Sequence, residues 1–219
     1  SKPKAILYCY NEDDVVNAIK FVKKNNFEFR IRSGGHSYEG YSTGNDLIVI
    51  DISNLKYIEI DEENKKVIFG GGIRNEEAYE ALGNKGYPFP GGGCPTVGIV
   101  GLILGGGWGY SSRYFGLAAD SLIEATMINY EGDKIIINKD LNSDLFWALK
   151  GIGGGNVGVI TSVTLALKDK VDKGTLIRIN YKNLSKDKAT EVIEILQKLY
   201  KDLDVKLNIK TAMYNSEKD

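Results

Sequence analysis

The chain has 219 residues, 42% of them hydrophobic, so it can bury a substantial core. Its 28 basic and 29 acidic residues give a net charge of −1, which argues against a nucleic-acid partner. One histidine and two cysteines exclude a two-histidine metal site and a disulfide framework, and no other metal site is expected. The longest apolar run, Val97 to Leu104, is far below the ~20 residues that cross a bilayer, so no membrane partner is expected. No signal-peptide pattern is present, which favours a cytoplasmic location.

The first half of the chain alternates strand and helix patterns. Asn11 is a helix cap, and the helix after it carries apolar residues on one face. A second helix is expected from Asn75 to Leu82, ended by Gly83. Strands are predicted at Ala5–Cys9, Phe27–Ile31 and Leu47–Ile50, with a hairpin formed by Tyr57–Ile60 and Lys66–Phe69.

The second half begins with a glycine-rich segment, Pro88 to Gly109, that reads mostly as loop. The charge run Lys168 to Lys173 is the best candidate linker. The order of elements indicates an α+β protein with a mixed sheet. Further elements are predicted as a hairpin (Ala125–Asn129, Lys134–Ile137), helices (Asp140–Lys150, Ser185 to about Leu203) and strands (Val157–Leu167, Thr175–Tyr181, Val205–Ala212).

Glycine is the compositional outlier, with 26 residues, 15 of them between Gly70 and Gly116. The run Gly153-Gly-Gly-Asn-Val-Gly158 matches G-x-G-x-x-G, but it follows a predicted helix and opens a predicted strand. The nicotinamide-dinucleotide fingerprint requires the reverse order, so that type of site is disfavoured. No P-loop motif is present.

Two glycine segments can bind a cofactor through their backbone. Ser33-Gly-Gly-His-Ser37 leaves a strand and can form an anion-binding nest, although a plain polar turn is the alternative. In Pro90–Gly109, glycine triplets bracket an apolar stretch and can lie flat against a planar ligand. Close strand packing at a corner is the alternative there.

Several ordered motifs in residues 3 to 169 resemble the berberine-bridge-enzyme-like flavin oxidases. This family lies in the vanillyl-alcohol-oxidase superfamily and includes oligosaccharide oxidases. The motifs are Arg32-Ser-Gly-Gly-His-Ser-Tyr-Glu-Gly-Tyr-Ser42, Gly93-Cys-Pro-Thr-Val-Gly98, Gly105-Gly-Gly-Trp-Gly109, Tyr114-Phe-Gly-Leu-Ala-Ala-Asp120, Asp144-Leu-Phe-Trp-Ala-Leu-Lys-Gly151 and Gly154-Gly-Asn-Val-Gly-Val-Ile-Thr-Ser-Val163.

The resemblance implies FAD held by two covalent bonds, from His36 to the 8α-methyl carbon and from Cys94 to ring carbon 6. Taken singly, a hydrogen-bonded loop histidine and a small buried thiol are the alternatives. Tyr38 and Trp108 match positions beside the substrate. Further cofactor contacts are implied at Ser33, Gly34, Gly35, Ser37, Tyr41, Ser42, Gly93, Val97, Gly98, Leu102, Gly105, Gly106, Gly158 and Val159.

The resemblance also implies a PCMH-type FAD-binding domain over residues 1–169, in two α/β lobes of about 1–90 and 91–169. Residues 170–219 then begin an α+β substrate domain. The expected activity is oxidation of an alcohol or sugar, with oxygen as electron acceptor favoured by the small Val97. Leu102 replaces a family histidine near the flavin, which leaves open a dehydrogenase with another acceptor. A catalytically silent flavin-binding module is a third reading.

We expect the chain to be part of a longer protein, because family members carry a large second domain. Its catalytic base is expected outside these residues, since His36 is the only imidazole and is assigned to the flavin bond.

Overall fold

The computed structural model describes residues 1–214, which divide into a first compact unit, Ser1–Val171, and a second that begins at Asp172. This division lies inside the predicted linker. The described helices are α1 (Glu12–Lys24), α2 (Asn75–Gly83), α3 (Ile99–Leu104), α4 (Ser112–Phe115), α5 (Ser143–Leu149) and α6 (Lys186–Lys201), with a 3-10 turn at Ala118–Ser121. The described strands are β1 (Ala5–Tyr8), β2 (Phe29–Arg32), β3 (Ile48–Asp51), β4 (Ile58–Asp61), β5 (Lys66–Gly70), β6 (Leu122–Ile128), β7 (Lys134–Asn138) and β8 (Val159–Ala166).

The first sheet contains three parallel strands in the order β1, β3, β2. The central strand β3 is buried along its whole length, as is usual for an apolar parallel strand covered on both faces. Helix α1 links β1 to β2 and buries Val15, Ala18, Ile19 and Val22, which recur at helical spacing. Asn11 caps this helix, as predicted, and its side chain accepts the Asp14 N–H at 2.8 Å.

The second sheet is antiparallel, with strand order β4, β5, β8, β6, β7. Both predicted hairpins are confirmed as β4–β5 and β6–β7. Neither sheet is mixed, so the expectation of a mixed sheet is wrong. The sheets divide between residues 51 and 58, whereas the predicted lobe boundary lies near residue 90. The reason is that Val67 and Phe69 of β5 pair with β8 and share its core.

The segment Pro88 to Gly109, expected to be mostly loop, contains helix α3. Glycines suggested a loop because they cost helix stability. However, Ile99, Val100, Ile103 and Leu104 are all buried in the core beneath the second sheet. Burial of this apolar face outweighs the weak helix propensity of the segment.

The two sheets meet through shared core residues. Ile128 of β6 and Val159 of β8 belong to the same buried cluster as Ile48 and Ile50 of β3. The loop between β2 and β3 and the segment before α3 are therefore parts of one packed unit.

In the second unit, α6 begins after Ser185, whose hydroxyl accepts the Lys188 N–H at 3.3 Å, and the predicted helix is confirmed. The strands expected at Thr175–Tyr181 and Val205–Ala212 are absent from the described residues. These two segments have the apolar side chains that are typical of strands. A strand also needs a neighbouring strand with which to form hydrogen bonds, and residues 172–214 contain no such strand.

Candidate functional site

The loop of residues 33–42, here the His36 loop, is fixed at its root. Arg32 Nε lies 2.5 Å from Asp51 Oδ2, and this carboxylate is almost fully buried in β3. The Ser33 hydroxyl donates to the Gly71 carbonyl oxygen at 2.7 Å. Gly35 has φ +71°, a conformation that favours glycine. The chain thus leaves β2 in a defined direction before it reaches His36.

The His36 loop touches the segment that carries Cys94 through two glycines. A Cβ added to Gly34 would lie 2.1 Å from the backbone nitrogen of Gly98. A Cβ added to Gly98 would lie 2.6 Å from the backbone nitrogen of Gly34. No side chain fits at this crossing, so both positions require glycine for the two backbones to approach.

Residues 92–97, here the Cys94 turn, sit on the amino-terminal end of α2. The backbone N–H of Asn75 donates to the Val97 carbonyl at 2.9 Å, and that of Glu76 donates to the Pro95 carbonyl at 3.0 Å. The first turn of a helix has N–H groups without partners inside the helix. Here the carbonyls of the Cys94 turn accept them, which ties the turn to a regular element.

The His36 loop and the Cys94 turn open onto a cavity of about 760 Å³. His36 and Cys94 both line it, and both are solvent-exposed. Nε2 of His36 lies 2.9 Å from Oγ1 of Thr96, which links the loop directly to the turn. The structure therefore brings an imidazole and a thiol, 58 positions apart in sequence, to one site.

Most of the residues implied by the resemblance line this cavity: Ser33, Gly34, Gly35, His36, Ser37, Tyr38, Tyr41, Ser42, Cys94, Val97, Gly98, Leu102 and Gly158. Others lie outside its lining: Gly93, Gly105, Gly106, Trp108 and Val159. Trp108 is 62% exposed and stands edge-on to Tyr110, with ring centroids 6.1 Å apart. Val159 instead lines a neighbouring cavity of about 180 Å³. The two cavities share Phe29, Ile31, Gly155, Asn156 and Gly158, so they lie next to each other.

The two cysteines have opposite environments. Cys9 is 2% exposed, and burial together with Asp14 and Asp51 raises the pKa of its thiol to about 11. Cys94 is exposed on the cavity. Only Cys94 is therefore presented for reaction, as the sequence motifs indicated. Within residues 1–214, no cluster of three or more metal-ligating side chains occurs.

Sequence reasoning missed two polar side chains that contact the site. Thr96 stands in the motif Gly93–Gly98 with no role of its own expected from sequence, yet it carries the contact to His36. Asn75 is expected only as the first residue of a helix, yet its side chain reaches the Cys94 turn. Neither residue type signals such a contact, because the hydrogen bonds span 60 and 19 positions of sequence.

Comparison with known proteins gives a family and its relatives. The family described as "FAD binding domain" matches residues 3–138. An uncharacterized FAD-linked oxidoreductase of Bacillus subtilis is 42% identical over 166 residues, which cover 74% of this chain and 37% of that protein. None of the described helices is long and apolar enough to span a membrane.

Solved structures extend the similarity. A variant of berberine bridge enzyme matches with a TM-score of 0.81 and 33% identity, over 94% of this chain and 42% of that one. Glucooligosaccharide oxidase from Acremonium strictum, described with a 6-S-cysteinyl, 8α-N1-histidyl FAD, matches with a TM-score of 0.71 and 28% identity. That match covers 76% of this chain and 35% of the oxidase. The chain thus spans well under half the length of each of these proteins.

Proposed function

The chain belongs to the berberine-bridge-enzyme-like family of FAD-linked oxidoreductases, and from this premise we propose that it forms the flavin-holding part of an oxidase of alcohols or carbohydrates. The family and the α+β, PCMH-type fold are those indicated by the sequence motifs, and both are confirmed. The observation that carries the proposal is the meeting of His36 and Cys94 on one cavity.

The cavity suits a flavin dinucleotide in size and in lining. Its volume of about 760 Å³ lies within the roughly 300–1,000 Å³ usual for small-molecule and cofactor sites. Gly101, Gly154 and Gly155 line it, and a Cβ added to any of them meets nothing within 4 Å. Side chains there would project into open space that a planar ligand can use.

We assign covalent attachment to His36 and Cys94. A nitrogen of a neutral imidazole and a thiolate are the nucleophiles that two electrophilic ring positions require. The neighbour from Acremonium is described with the same pair of linkages. Since His36 is the only histidine and Cys9 is buried, no other pair in residues 1–214 offers this chemistry at a cavity.

The backbone around Gly34 and Gly35 would bind the pyrophosphate. The positive φ of Gly35 supports a nest, in which successive N–H groups point at one anion. Ser33, Ser37, Tyr41 and Ser42 line the cavity beside it and add hydroxyl groups. The neighbouring cavity, with Gly158 and Val159, would receive the remaining part of the dinucleotide.

When bound, the isoalloxazine ring would accept a hydride equivalent from the substrate and pass the electrons to oxygen. Tyr38, fully exposed on the cavity, is proposed to border the substrate side, together with Trp108. Val97 lines the cavity three residues after Cys94, and its small side chain would leave room for oxygen. The catalytic base is proposed to lie outside this chain.

A flavin dehydrogenase with another electron acceptor is the second candidate, and Leu102 favours it. Its side chain lines the cavity, where it can offer only apolar contact. Flavin that is reduced by substrate but reoxidised slowly in air would support the dehydrogenase. Flavin that no alcohol or sugar reduces would support a silent binding module.

Peptide mapping tests the double attachment directly. Cleavage after lysine and arginine places His36 in peptide 33–56 and Cys94 in peptide 86–113. Doubly attached FAD would join these peptides into one species that carries the flavin absorbance. His36→Ala should leave flavin on peptide 86–113 only, and Cys94→Ala should leave it on peptide 33–56 only. Flavin-free peptides from the flavin-loaded, acid-precipitated chain would overturn the assignment.

A further inference from the structure

One buried side chain holds the main chain on both sides of Cys94. The Asn75 amide nitrogen Nδ2 lies 3.0 Å from the Cys94 carbonyl oxygen and 3.4 Å from that of Gly92. The Tyr79 hydroxyl donates to the same Gly92 oxygen at 2.8 Å. The backbone N–H of Asn75 adds the bond to Val97. Asn75 therefore contacts the beginning, middle and end of the Cys94 turn.

The orientation of the Asn75 amide is fixed by its partners. Both nearby groups are carbonyl oxygens, so only the two N–H donors of the amide can face them. Reversal of the amide would place three oxygen atoms together. Asn75 is 0% exposed, and its Oδ1 has no hydrogen-bond partner in the part of the chain that the structure describes.

An unpaired buried acceptor opposes folding, so stability alone does not explain an amide at this position. Two hydrogen-bond donors are needed here because the turn places the Gly92 and Cys94 carbonyls close to the first residue of α2. Asparagine is the shortest side chain that offers two such donors.

We propose that Asn75 is a positioning residue for Cys94, which orients the thiol toward the flavin ring by holding the carbonyls of the Cys94 turn. The inference rests on the proposed attachment of FAD through Cys94. Covalent chemistry depends steeply on the placement of the reacting atom, and a displacement of about 1 Å can cost about a hundredfold in rate. Loss of the Asn75 amide would leave the Cys94 carbonyl without its donor, although Gly92, Pro95 and Val97 keep theirs.

The experiment measures how often flavin that is attached to His36 fails to become attached to Cys94 as well. In Asn75→Ala and Asn75→Asp, the joined species of peptides 33–56 and 86–113 should fall about tenfold relative to flavin on peptide 33–56 alone. The aspartate keeps the size of the side chain but removes the donors. The ratio is read only from chains that carry flavin on His36, so misfolded protein does not enter it.

One control separates positioning from general destabilisation. Thr161→Val removes a buried hydroxyl that donates to Glu12 at 2.9 Å, and neither residue belongs to the Cys94 turn. This control should keep the ratio within about twofold of the unsubstituted chain. Tyr79→Phe removes a donor to Gly92 and should lower the ratio less than the Asn75 variants do, because the Cys94 carbonyl stays bonded to Asn75.

A flavin-free readout completes the test. Amide hydrogen exchange of Val97, whose N–H donates to the Cys94 carbonyl at 3.5 Å, should accelerate in Asn75→Ala and stay unchanged in Thr161→Val. An unchanged ratio in both Asn75 variants, with the joined peptides present in the unsubstituted chain, would overturn the positioning role. Absence of joined peptides from the unsubstituted chain would instead overturn the double attachment itself, so the two failures are distinguishable.

Discussion

The His36 loop and the Cys94 turn reach the same cavity, but the protein holds them differently. The loop is fixed at its root by Arg32 and Ser33, and residues 36–41 beyond the root are exposed. Apart from the His36–Thr96 contact, its bonds beyond Gly35 are local, such as Gly40 N–H to the Ser37 carbonyl at 3.1 Å. The Cys94 turn is bonded along its length to α2.

This difference shows that one partner of the pair is preorganised and the other is adjustable. A residue tied to a helix moves only with the helix, whereas an exposed loop residue can change rotamer and backbone angles at low cost. The backbone that carries Cys94 is therefore the more firmly held part of the site, and His36 contacts it through Thr96.

Thiol alkylation gives the largest expected contrast. In the flavin-free chain at pH 8, iodoacetamide should modify Cys94 and leave Cys9 essentially unmodified. A pKa of about 11 leaves on the order of one Cys9 thiol in a thousand ionised at this pH, and burial blocks access as well. Mass spectrometry of the peptides reads both sites in one sample.

Denaturation provides the control for that measurement. In concentrated urea, both thiols should react at similar rates, because unfolding removes the environment of Cys9. Modification of Cys9 as fast as Cys94 in the native chain would contradict the contrast between a buried and a presented thiol.

The close approach of Gly34 to Gly98 is expected to be the next most sensitive point to substitution. Gly34→Ala should lower the free energy of unfolding by about 1–3 kcal/mol, because the added Cβ meets backbone atoms that cannot move aside. Gly101→Ala is the matched control, since its Cβ meets nothing within 4 Å and alanine favours the helix by about 0.5–1 kcal/mol. Equilibrium unfolding in urea measures both, and equal stabilities would contradict a close crossing.

The Thr96 contact predicts a smaller change in His36. Thr96→Val should change the ¹⁵N chemical shift of His36 Nε2, because a hydrogen bond of about 0.5–1.5 kcal/mol is lost at that atom. His36 is the only histidine, so ¹⁵N-histidine NMR gives an unambiguous signal. Thr96→Ser should preserve the chemical shift, and an unchanged shift in the valine variant would show that the two residues are not coupled.

Acid should lower the stability of the fold slightly through Glu62. Hydrogen bonds from Lys85, Lys170 and Tyr87 lower the pKa of Glu62 from 4.5 to about 2. A lowered carboxyl pKa stabilises the fold above pH 4.5, and this contribution is lost as the pH falls toward 2. The urea midpoint should therefore fall less between pH 5 and pH 3 in Glu62→Gln than in the unsubstituted chain. Parallel pH profiles would contradict this role, which is small because Glu62 is exposed.

Elements with a local signal were predicted well. Helix α1 has a cap and an apolar face, and both hairpins have strands joined by short polar turns, so a few neighbouring residues specify each of them. Helix α3 was not predicted, and two strands were predicted in residues 172–214 where the structure has none. Helix α3 forms because its apolar face is buried under the second sheet. The two strands do not form because no neighbouring strand is there to pair with them.

The candidate site shows the same division. Ordered motifs pointed to His36 and Cys94 because reactive side chains stand within recognisable glycine patterns. Thr96 and Asn75 have no such signal, since their roles come from atoms brought within hydrogen-bond distance by packing.

The sequence by itself determined the family and the cofactor class, and it led to the proposal that His36 and Cys94 attach the cofactor, because motif order and residue type are properties of the chain alone. Only the tertiary structure decided that β4 and β5 belong to the second sheet, that Gly34 crosses Gly98, and that the amide of Asn75 supports Cys94. These features depend on which distant backbone groups meet in the folded chain. Hydrogen bonds and steric contacts act over a few ångströms of space, whatever the separation in sequence.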